Sequence, residues 1–313
     1  MFHVEHYIGR GGNMDYNLYL VDAFTDEIFK GNPACVIPYA RGLSEDQMKK
    51  IAGETQVSET VFVEEIDRGN YEIRYFSPYG EERFCGHSTV AIFYILALRG
   101  YIGEQETGVK TVHISSYNNK IDVDIYFEDY DIKNVMVNMG EPESTGKLAS
   151  IDSTLEALNL SREDLALGTS DGGIPIVKLY SKYALLPIRS KEALDKVDMS
   201  SEKLTPILEE HDINGVHLFY LPEGDKTRVY TRNFSITGSA VEEPATGTAN
   251  GCLAYFLKKE GMIDGNKVTS IQGEQVNRKS VINCVIKEKK GIYKVEVGGK
   301  AKVVIEGIIH VDN

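Results

Sequence analysis

Hydrophobic and polar residues alternate along much of the chain, in short runs that are typical of half-buried strands. The alternation covers residues 16–24, 56–64 and 70–77 in the first half, and it returns strongly between residues 268 and 309. Residues 90–98 are continuously apolar instead, which predicts a helix that is buried on every face. The pattern therefore predicts a strand-rich α+β chain in which a curved sheet wraps a central apolar helix.

One stretch of the chain occurs twice, and both copies have the pattern of a turn that leads into a buried helix. When residues 85–96 are aligned with residues 246–257, Gly86 falls on Gly247 and Tyr94 falls on Tyr255. The strand ends that precede the copies also match, with Arg74-Tyr75-Phe76-Ser77 in the first and Arg232-Asn233-Phe234-Ser235 in the second. A repeated strand, turn and helix predicts two similar halves. If these halves face each other, two helix N-termini point at one cleft, which suits a small anion.

The repeat predicts two domains, residues 14–139 and 140–313, with the last strand able to return to the first domain. Residues 140–175 are polar and are predicted to be the crossover between the halves. A shorter helix is predicted at residues 44–53, because Ser44 and Gln47 form a capping-box pattern. Residues 1–13 lack the apolar core of a secretory signal, and we expect a disordered extension before a natural start at Met14.

Composition and charge exclude several classes of function. The chain has 313 residues, 42% of them hydrophobic, and a formal net charge of −13. This charge argues against a nucleic-acid partner or an anionic membrane surface, so an anionic substrate has to be attracted locally. No apolar run reaches the roughly 18 residues that a membrane-spanning helix needs. The four cysteines lie far apart and predict neither a metal centre nor a disulfide framework, which favours a cytoplasmic protein.

Glu59 is the first candidate for chemistry. Strand alternation in residues 57–63 places its carboxyl group on the same face as Val57, Val61 and Val63. A carboxyl group among valines is costly to ionise, so its pKa is expected to be raised and it could exchange a proton near neutral pH. The alternative is that this face is solvated and that Glu59 only covers a sheet edge.

The repeated turns supply the other candidates. His87 follows Gly86 at a helix start, where it could bind an anion or carry protons, or could be structural. Cys85 could be a thiolate activated by the helix N-terminus, or a small buried apolar residue. Glu243 could polarise the matching turn or lie in a solvated acidic loop. Arg278 could bind a carboxylate or pair with surface acids.

Together these segments resemble the PhzF family, isomerases related to phenazine biosynthesis that share the fold of diaminopimelate epimerase. The resemblance covers about residues 16–307 and depends on the order and spacing of five motifs. These motifs are Asp22-Ala23-Phe24 with Gly31-Asn32-Pro33, Ser58-Glu59-Thr60-Val61-Phe62, Phe84-Cys85-Gly86-His87-Ser88-Thr89, Glu243-Pro244-Ala245-Thr246-Gly247-Thr248-Ala249-Asn250-Gly251, and Gln272-Gly273 followed by Arg278 and Ser280.

The resemblance implies two pseudo-symmetric half-barrel domains, each a curved and mostly antiparallel sheet around a central helix, with the active site between them. It also implies a homodimer and proton transfer without a cofactor or metal on a small carboxylate. Carried over, Glu59 is the general acid and base, and His87 and Glu243 assist it. Glu243 stands where the family usually has Asp, which moves the carboxylate outward. The expected substrate-binding residues are Gly86, His87, Gly247, Thr248, Arg278 and Asn32.

We therefore expect a cofactor-independent isomerase in which one carboxylate moves a proton on a carboxylate-bearing substrate. A second hypothesis is an amino-acid racemase that uses Cys85. Its weakness is that Thr246, at the matching position, is far too weakly acidic to replace a thiol. A third hypothesis is a non-catalytic homologue that binds a small molecule.

Overall fold

The computed structural model describes residues 14–103, 105–116, 119–166, 172–237 and 239–312. The extension expected at residues 1–13 lies outside the described residues. None of the helices in the described ranges combines the length and the apolar character that a membrane-spanning helix requires.

The described residues in the first part of the chain form eight strands and two helices. In chain order these are β1 (Met14–Ala23), β2 (Asn32–Ile37), α1 (Glu45–Thr55), β3 (Thr60–Asp67), β4 (Asn70–Ser77), β5 (Gly80–Glu82), α2 (Gly86–Leu98), β6 (Gly108–Ser116), β7 (Asn119–Glu128) and β8 (Asp131–Asn138).

Where the structure describes the second part, it contains ten strands, four α-helices and one short 3₁₀ helix (Arg162–Asp164). In chain order the strands and α-helices are β9 (Glu143–Leu148), α3 (Ile151–Ala157), β10 (Ile174–Lys178), β11 (Lys182–Pro187), α4 (Lys191–Asp195), α5 (Ser201–Glu210), β12 (Gly215–Tyr220), β13 (Arg228–Thr237), β14 (Ser239–Glu243), α6 (Gly247–Lys259), β15 (Lys267–Gln272), β16 (Ser280–Lys289), β17 (Ile292–Gly299) and β18 (Ala301–Val311).

The chain divides into two compact units. Unit 1 comprises Met1–Asn138 and Gly298–Asn313, and unit 2 comprises Met139–Val297. The last strand, β18, belongs to unit 1, where it pairs antiparallel with β1 along its whole length.

The two units repeat one order of strand pairing. In unit 1, β2 pairs parallel with β3, β3 antiparallel with β4, β4 antiparallel with β5 and parallel with β6, and β6 antiparallel with β7. In unit 2, the same relations link β11, β12, β13, β14, β15 and β16 in the same sequence. The duplication predicted from the two motif copies is thus present in the backbone.

Each unit is built around one central helix of 13 residues, α2 in unit 1 and α6 in unit 2. Strands β1, β2, β3, β7, β8 and β18 pack around α2, whereas β10, β11, β12, β15 and β16 pack around α6. Val90, Ile92 and Phe93 of α2 are completely buried, and each such side chain contributes about 1.5–3 kcal/mol through removal from water. Gly100 and Gly261 follow the two C-caps with φ of 73° and 67°, the left-handed conformation that stops a helix at little cost.

The shorter helix α1 begins as predicted. Ser44 is its N-cap, and the reciprocal bonds of a capping box join Ser44 to Gln47. The helix extends to Thr55, two residues beyond the predicted end, and Gln56 closes it with a left-handed backbone (φ 52°).

Three short strands were not predicted. Strand β9 lies in the supposed crossover, where five of its six residues are exposed, so no apolar face marked it. Strands β5 and β14 are short hairpin returns of three and five residues. Both of these return strands carry glutamates. Strand β5 pairs with β4 and β14 pairs with β13, and each return strand leads into the turn before a central helix.

Candidate active site

Helix α2 begins at Gly86, and its N-cap residue leaves the helix start open. Cys85 has an extended backbone, with φ −138° and ψ 119°, and its side chain forms no capping bond. Ser44 and Ser190, by contrast, cap α1 and α4 with their side chains. The first N–H groups of a helix have no partner within the helix, so the start of α2 offers hydrogen-bond donors and positive dipole to an anion.

The side chain of Cys85 contacts His87 instead. Its Sγ lies 3.1 Å from Nδ1 of His87 and 4.0 Å from Nε2. On the other side of the ring, Nε2 lies 3.3 Å from Oγ of Ser58, and this hydroxyl donates to the carbonyl oxygen of Pro33 at 3.2 Å. Because a carbonyl only accepts, the Ser58 oxygen is left to accept from Nε2–H. The sulfur of Cys85 lies within 4.0 Å of both ring nitrogens and so packs against the face of the imidazole.

Glu59 follows Ser58 directly and is 9% exposed. Its backbone oxygen accepts from the N–H of Cys35 at 2.9 Å, which fixes Glu59 at the start of β3 beside β2. Ser58, whose hydroxyl contacts the ring of His87, is therefore the residue before Glu59 in the chain. The fold brings these two predicted residues to the same end of unit 1.

The predicted strand around Glu59 is wrong in its extent. Strand β3 begins at Thr60, not at residue 56, because the left-handed Gln56 ends α1 and the next three residues connect the helix to the strand. Val57 is only partly buried, and residues 60–63 are all buried, so these positions do not alternate. The lack of alternation follows from helices α1 and α2, which both contact β3. Glu59 is buried through its position at the strand start and not through a valine face.

In unit 2, the N-cap Thr246 also forms no capping bond to α6, and other side chains hold the turn before the helix. The hydroxyl of Thr246, the N-cap, donates to Oε2 of Glu243 at 2.5 Å. Gln272 accepts from the backbone N–H of Thr246 at 3.2 Å and donates to the backbone oxygen of Glu243 at 2.9 Å. Gln272 thus fixes both ends of the turn that carries Glu243.

A buried polar chain supports Gln272. Asn250 donates to Oε1 of Gln272 at 2.8 Å and to the Thr246 carbonyl at 3.0 Å. Both of its N–H bonds are therefore used, so Oδ1 of Asn250 has to accept from Nε2–H of His217 at 3.3 Å. Burial lowers the pKa of His217 from 6.5 to about 4. The imidazole is neutral at physiological pH and acts as a fixed donor toward Asn250.

The two neighbouring glutamates of β14 have different roles. Glu242 forms a two-bond pair with the buried Arg232, at 2.8 Å and 2.6 Å. Glu243 is partly exposed and bonds to Thr246. Glu242 is therefore structural, and Glu243 is the carboxylate available at the turn.

Of the remaining predicted residues, two lie at the start of α6 and two lie on other elements. Asn32 is 4% exposed and begins β2, one residue before Pro33. Gly247 and Thr248 are the first two residues of α6. Arg278 lies on the turn before β16, where its backbone N–H donates to the carbonyl of Gly273 at 2.9 Å.

The turn that bears Arg278 requires a glycine at position 273. It has φ 79°, and a Cβ atom there would lie 2.4 Å from the carbonyl oxygen of Pro244 and 2.5 Å from that of Arg278. The turn bearing Arg278 thus packs directly on the backbone that follows Glu243.

The repeat carries Glu59 in only one copy. Thr60 pairs with Phe76 and Val216 pairs with Phe234, and these two phenylalanines match in the repeated motif. Glu59 therefore corresponds to Gly215. A Cβ atom on Gly215 would lie 2.6 Å from the carbonyl oxygen of Phe234, so unit 2 has no room for a side chain at this position.

Sequence reasoning missed four residues of the site. Gln272 was quoted only as part of a motif, and Asn250 and His217 were not singled out. Their signal is a polar residue inside an apolar run, as in Val216-His217-Leu218-Phe219. Ser58 was likewise read only as a motif residue.

A cavity of about 820 Å³ in unit 1 lies at the other end of α2, where Tyr94, Leu98, Arg99, Phe127 and Lys300 line it. None of the predicted site residues contributes to its wall. Among the described residues, no group of three or more His, Cys, Asp or Glu side chains is arranged to hold a metal ion.

Curated relatives give the class of the protein. An uncharacterised isomerase of Clostridium acetobutylicum is 31% identical over 301 residues, which cover 93% of this chain and 97% of the relative. Further relatives at similar identity, from Salmonella typhimurium and Bacillus subtilis among others, are also named isomerases. The protein is an isomerase.

The family follows from a match along most of the chain. The family described as phenazine biosynthesis-like protein, PhzC-PhzF, matches residues 21–307. The chain belongs to this PhzF family, and the resemblance stated from its motifs is confirmed.

Solved structures confirm the fold class. A PhzF-family protein of Bacillus anthracis has a TM-score of 0.80 at 24% identity, and the match covers 94% of this chain and 99% of that one. A hydroxyproline epimerase of Agrobacterium vitis, with bound trans-4-hydroxy-L-proline, has a TM-score of 0.65 at 12% identity and covers 95% of this chain and 92% of its own. At these identities the similarity concerns the fold.

Proposed function

We propose that this isomerase moves a proton between two positions of a small carboxylate-bearing substrate without a cofactor, with Glu59 as the general acid and base. The observation that carries the proposal is a buried carboxyl group placed next to a residue that contacts His87 at an uncapped helix start. Burial disfavours the ionised form of a carboxyl group and so suits it to exchange protons near neutral pH.

In this proposal, the backbone N–H groups of Gly86, His87, Gly247 and Thr248 bind the substrate carboxylate. Helix starts stabilise a fixed negative charge, and they do so more strongly where charge develops on an enol or enolate. His87 orients the substrate or relays a proton. The other proposed substrate-binding groups are Glu243, Asn32 and Arg278. Residues of both repeats thus bind the same substrate molecule in this proposal.

A single-carboxylate mechanism agrees with the asymmetry of the repeat. Unit 2 has Gly215 in place of Glu59 and Thr246 in place of Cys85. The Thr246 hydroxyl donates to Glu243, and an alcohol is too weakly acidic to act as the second proton carrier of a symmetric racemase.

The test is exchange of substrate C–H protons with solvent deuterium, followed by proton NMR. The panel holds small carboxylates, beginning with trans-4-hydroxy-L-proline and proline, and Glu59→Gln is compared with Glu72→Gln, a substitution on the exposed part of β4. We expect Glu59→Gln to slow exchange by about 10²–10⁴-fold, and Glu72→Gln to leave it unchanged. Exchange at the wild-type rate in Glu59→Gln would remove Glu59 from the mechanism.

A racemase that uses Cys85 is the second candidate, favoured by the 3.1 Å contact between its Sγ and Nδ1 of His87. The variant Cys85→Ala separates the two. It should abolish exchange if Cys85 carries the proton, and it should retain most of the exchange if Glu59 does.

We also propose that the protein is a homodimer, as the family resemblance implies, and that it is cytoplasmic, as its widely spaced cysteines indicate. Light scattering coupled to size-exclusion chromatography tests the dimer, because a single species with the mass of one chain would contradict it.

A further inference from the structure

The side-chain amide of Gln272 is buried beside the start of α6, and each of its hydrogen-bonding positions is used. Gln272 is 1% exposed. Its Oε1 accepts from the backbone N–H of Thr246 at 3.2 Å and from Nδ2 of Asn250 at 2.8 Å. Its Nε2 donates to the backbone oxygen of Glu243 at 2.9 Å and to Oγ1 of Thr246 at 3.3 Å. Because an amide has two acceptor and two donor positions, Gln272 is fully paired.

Backbone groups fix the orientation of this amide. The N–H of Thr246 can only donate and the carbonyl of Glu243 can only accept, so Oε1 of Gln272 has to face the first and Nε2 the second. The Thr246 hydroxyl oxygen therefore accepts a hydrogen bond from Nε2–H and cannot donate to Gln272. Its own proton is directed to Oε2 of Glu243, at 2.5 Å.

The bond from Thr246 gives the two side-chain oxygens of Glu243 different tasks. Oε2 accepts from the Thr246 hydroxyl and is thereby held in place. Among the described residues, none forms a hydrogen bond or an ion pair with Oε1 of Glu243. Because Glu243 is partly exposed, Oε1 is the oxygen that is available to a substrate.

Two buried residues support Gln272 from the side away from Glu243. Asn250 is 1% exposed and His217 is completely buried. Asn250 donates both of its N–H bonds, one of them to Gln272, so its Oδ1 accepts from Nε2–H of His217 at 3.3 Å. Four hydrogen bonds thus run in one direction, from His217 through Asn250, Gln272 and Thr246 to Glu243.

We propose that Gln272, supported by Asn250 and His217, is a positioning residue of the isomerase, which directs the Thr246 hydroxyl to Oε2 of Glu243 and so keeps Oε1 available to the substrate. A side chain that is already fixed loses less rotamer freedom when a ligand binds, so this arrangement strengthens substrate binding. The inference rests on the proposed function, in which Glu243 binds the substrate. Gln272 acts through Thr246 and Glu243 and touches no substrate itself.

The first experiment measures KM and kcat for solvent deuterium exchange, using a carboxylate that the wild-type protein exchanges. Gln272→Met keeps a side chain of similar length but removes its four hydrogen bonds, so KM should rise about tenfold while kcat changes little. Ser270→Ala is the matched control, because it removes a buried 2.8 Å hydrogen bond to Thr231 from the same strand, β15, and should leave KM unchanged. An unchanged KM in Gln272→Met, or an equal rise in Ser270→Ala, would overturn the inference.

The second experiment tests whether Gln272 acts through Glu243. In a Glu243→Ala background, Gln272→Met should raise KM no further, because the carboxylate that Gln272 positions is already absent. Effects of the two substitutions that multiply would show that Gln272 acts independently of Glu243, and the inference would be wrong.

A third pair of variants probes the hydroxyl without disturbing the buried amide. Thr246→Val removes the donor to Glu243 and should raise KM by a factor similar to that of Gln272→Met. Thr246→Ser keeps a hydroxyl at the same place and should restore the wild-type KM. The same KM in both variants would contradict the proposed path and would do so even if Gln272→Met failed to fold.

A last readout requires no turnover. In protein labelled with ¹⁵N-glutamine, NMR should show that the side-chain amide protons of Gln272 exchange with solvent far more slowly than those of the exposed Gln56. In Thr246→Val, the proton that faces residue 246 should exchange faster. Turnover together with fast exchange of the wild-type Gln272 amide would overturn this inference alone. Slow amide exchange in a protein that exchanges no carboxylate would instead contradict the proposed function and leave the hydrogen-bonded arrangement intact.

Discussion

The starts of helices α2 and α6 occupy matching places in the repeat but carry different chemistry. At α2, Cys85 contacts His87, and a buried carboxyl group lies one residue from the Ser58 that holds the ring. At α6, Thr246 and Glu243 bond to each other. The two units thus share one order of strands around a central helix, whereas the side chains at the starts of their helices differ.

Each unit has the same arginine–glutamate pair between the two strands that precede its central helix. Arg74 forms a two-bond pair with Glu81, at 2.7 Å and 2.6 Å, and lies 5.1 Å from the ring centre of Phe76. Arg232 pairs in the same way with Glu242 and lies 5.2 Å from the ring centre of Phe234. These pairs join each return strand to its long neighbour and so position the following turn.

One layer deeper the copies differ. In unit 1, the hydroxyl of Tyr75 bonds directly to Thr89 of α2 at 2.8 Å. In unit 2, His217 lies between the matching residues, with Nε2–H donating to Oδ1 of Asn250 at 3.3 Å and Nδ1 3.1 Å from the side chain of Asn233. The bridge fixes the amide of Asn250, and through it the Gln272 that holds the turn of Glu243.

The largest expected difference in stability comes from the two arginines. Arg232→Met leaves Glu242 and two backbone carbonyls, of Leu194 and Val197, without their buried donor. It should lower the free energy of unfolding by about 3–5 kcal/mol. Arg74 and Glu81 are more exposed, at 29% and 19%, so Arg74→Met should cost only about 1 kcal/mol. Chemical denaturation measures both, and equal losses would contradict the difference in burial.

The bridging histidine makes unit 2 sensitive to acid. In the folded protein the pKa of His217 is about 4, against 6.5 when it is exposed. The unfolded chain therefore binds the proton more readily, so stability is complete above pH 6.5 and falls as the pH is lowered towards 4. The loss attributable to His217 is about 3 kcal/mol in total. Urea denaturation of wild type and His217→Gln across this range checks it, since the variant should lack this part of the slope.

A smaller effect tests why unit 2 has no counterpart of Glu59. Gly215→Ala places a methyl group against the carbonyl of Phe234 and should cost about 1–3 kcal/mol. Gly224→Ala is the matched control, because a Cβ atom there meets no atom within 4 Å. Thermal and chemical unfolding of both variants measure the difference. An equally mild effect at both positions would mean that sterics do not keep the acid out of unit 2.

The sequence predicted the repeat well because the copies share glycines and apolar positions that the backbone itself requires. Gly100 and Gly261 end the two central helices with left-handed backbone, and the capping pattern of Ser44 and Gln47 marks the start of α1. Both signals are local, and local geometry can be read from a single sequence.

The parts that could not be predicted depend on tertiary contacts. Strand β14 reads as an acidic loop until its hairpin with β13 is known, and only then does Glu242 separate from Glu243. His217 and Asn250 are polar residues buried by the fold, and an amphipathic pattern assigns such residues to the surface. Glu59 was identified through its motif, whereas its predicted place on an alternating strand was wrong.

The most direct test of the account compares Glu59→Gln with Glu243→Gln in the solvent deuterium exchange assay, using one carboxylate that the wild-type protein exchanges. The account predicts that Glu59→Gln slows exchange by about 10²–10⁴-fold and that Glu243→Gln slows it much less, because the acid and base reside in one copy of the repeat. The reverse outcome, with exchange retained in Glu59→Gln and lost in Glu243→Gln, would contradict it.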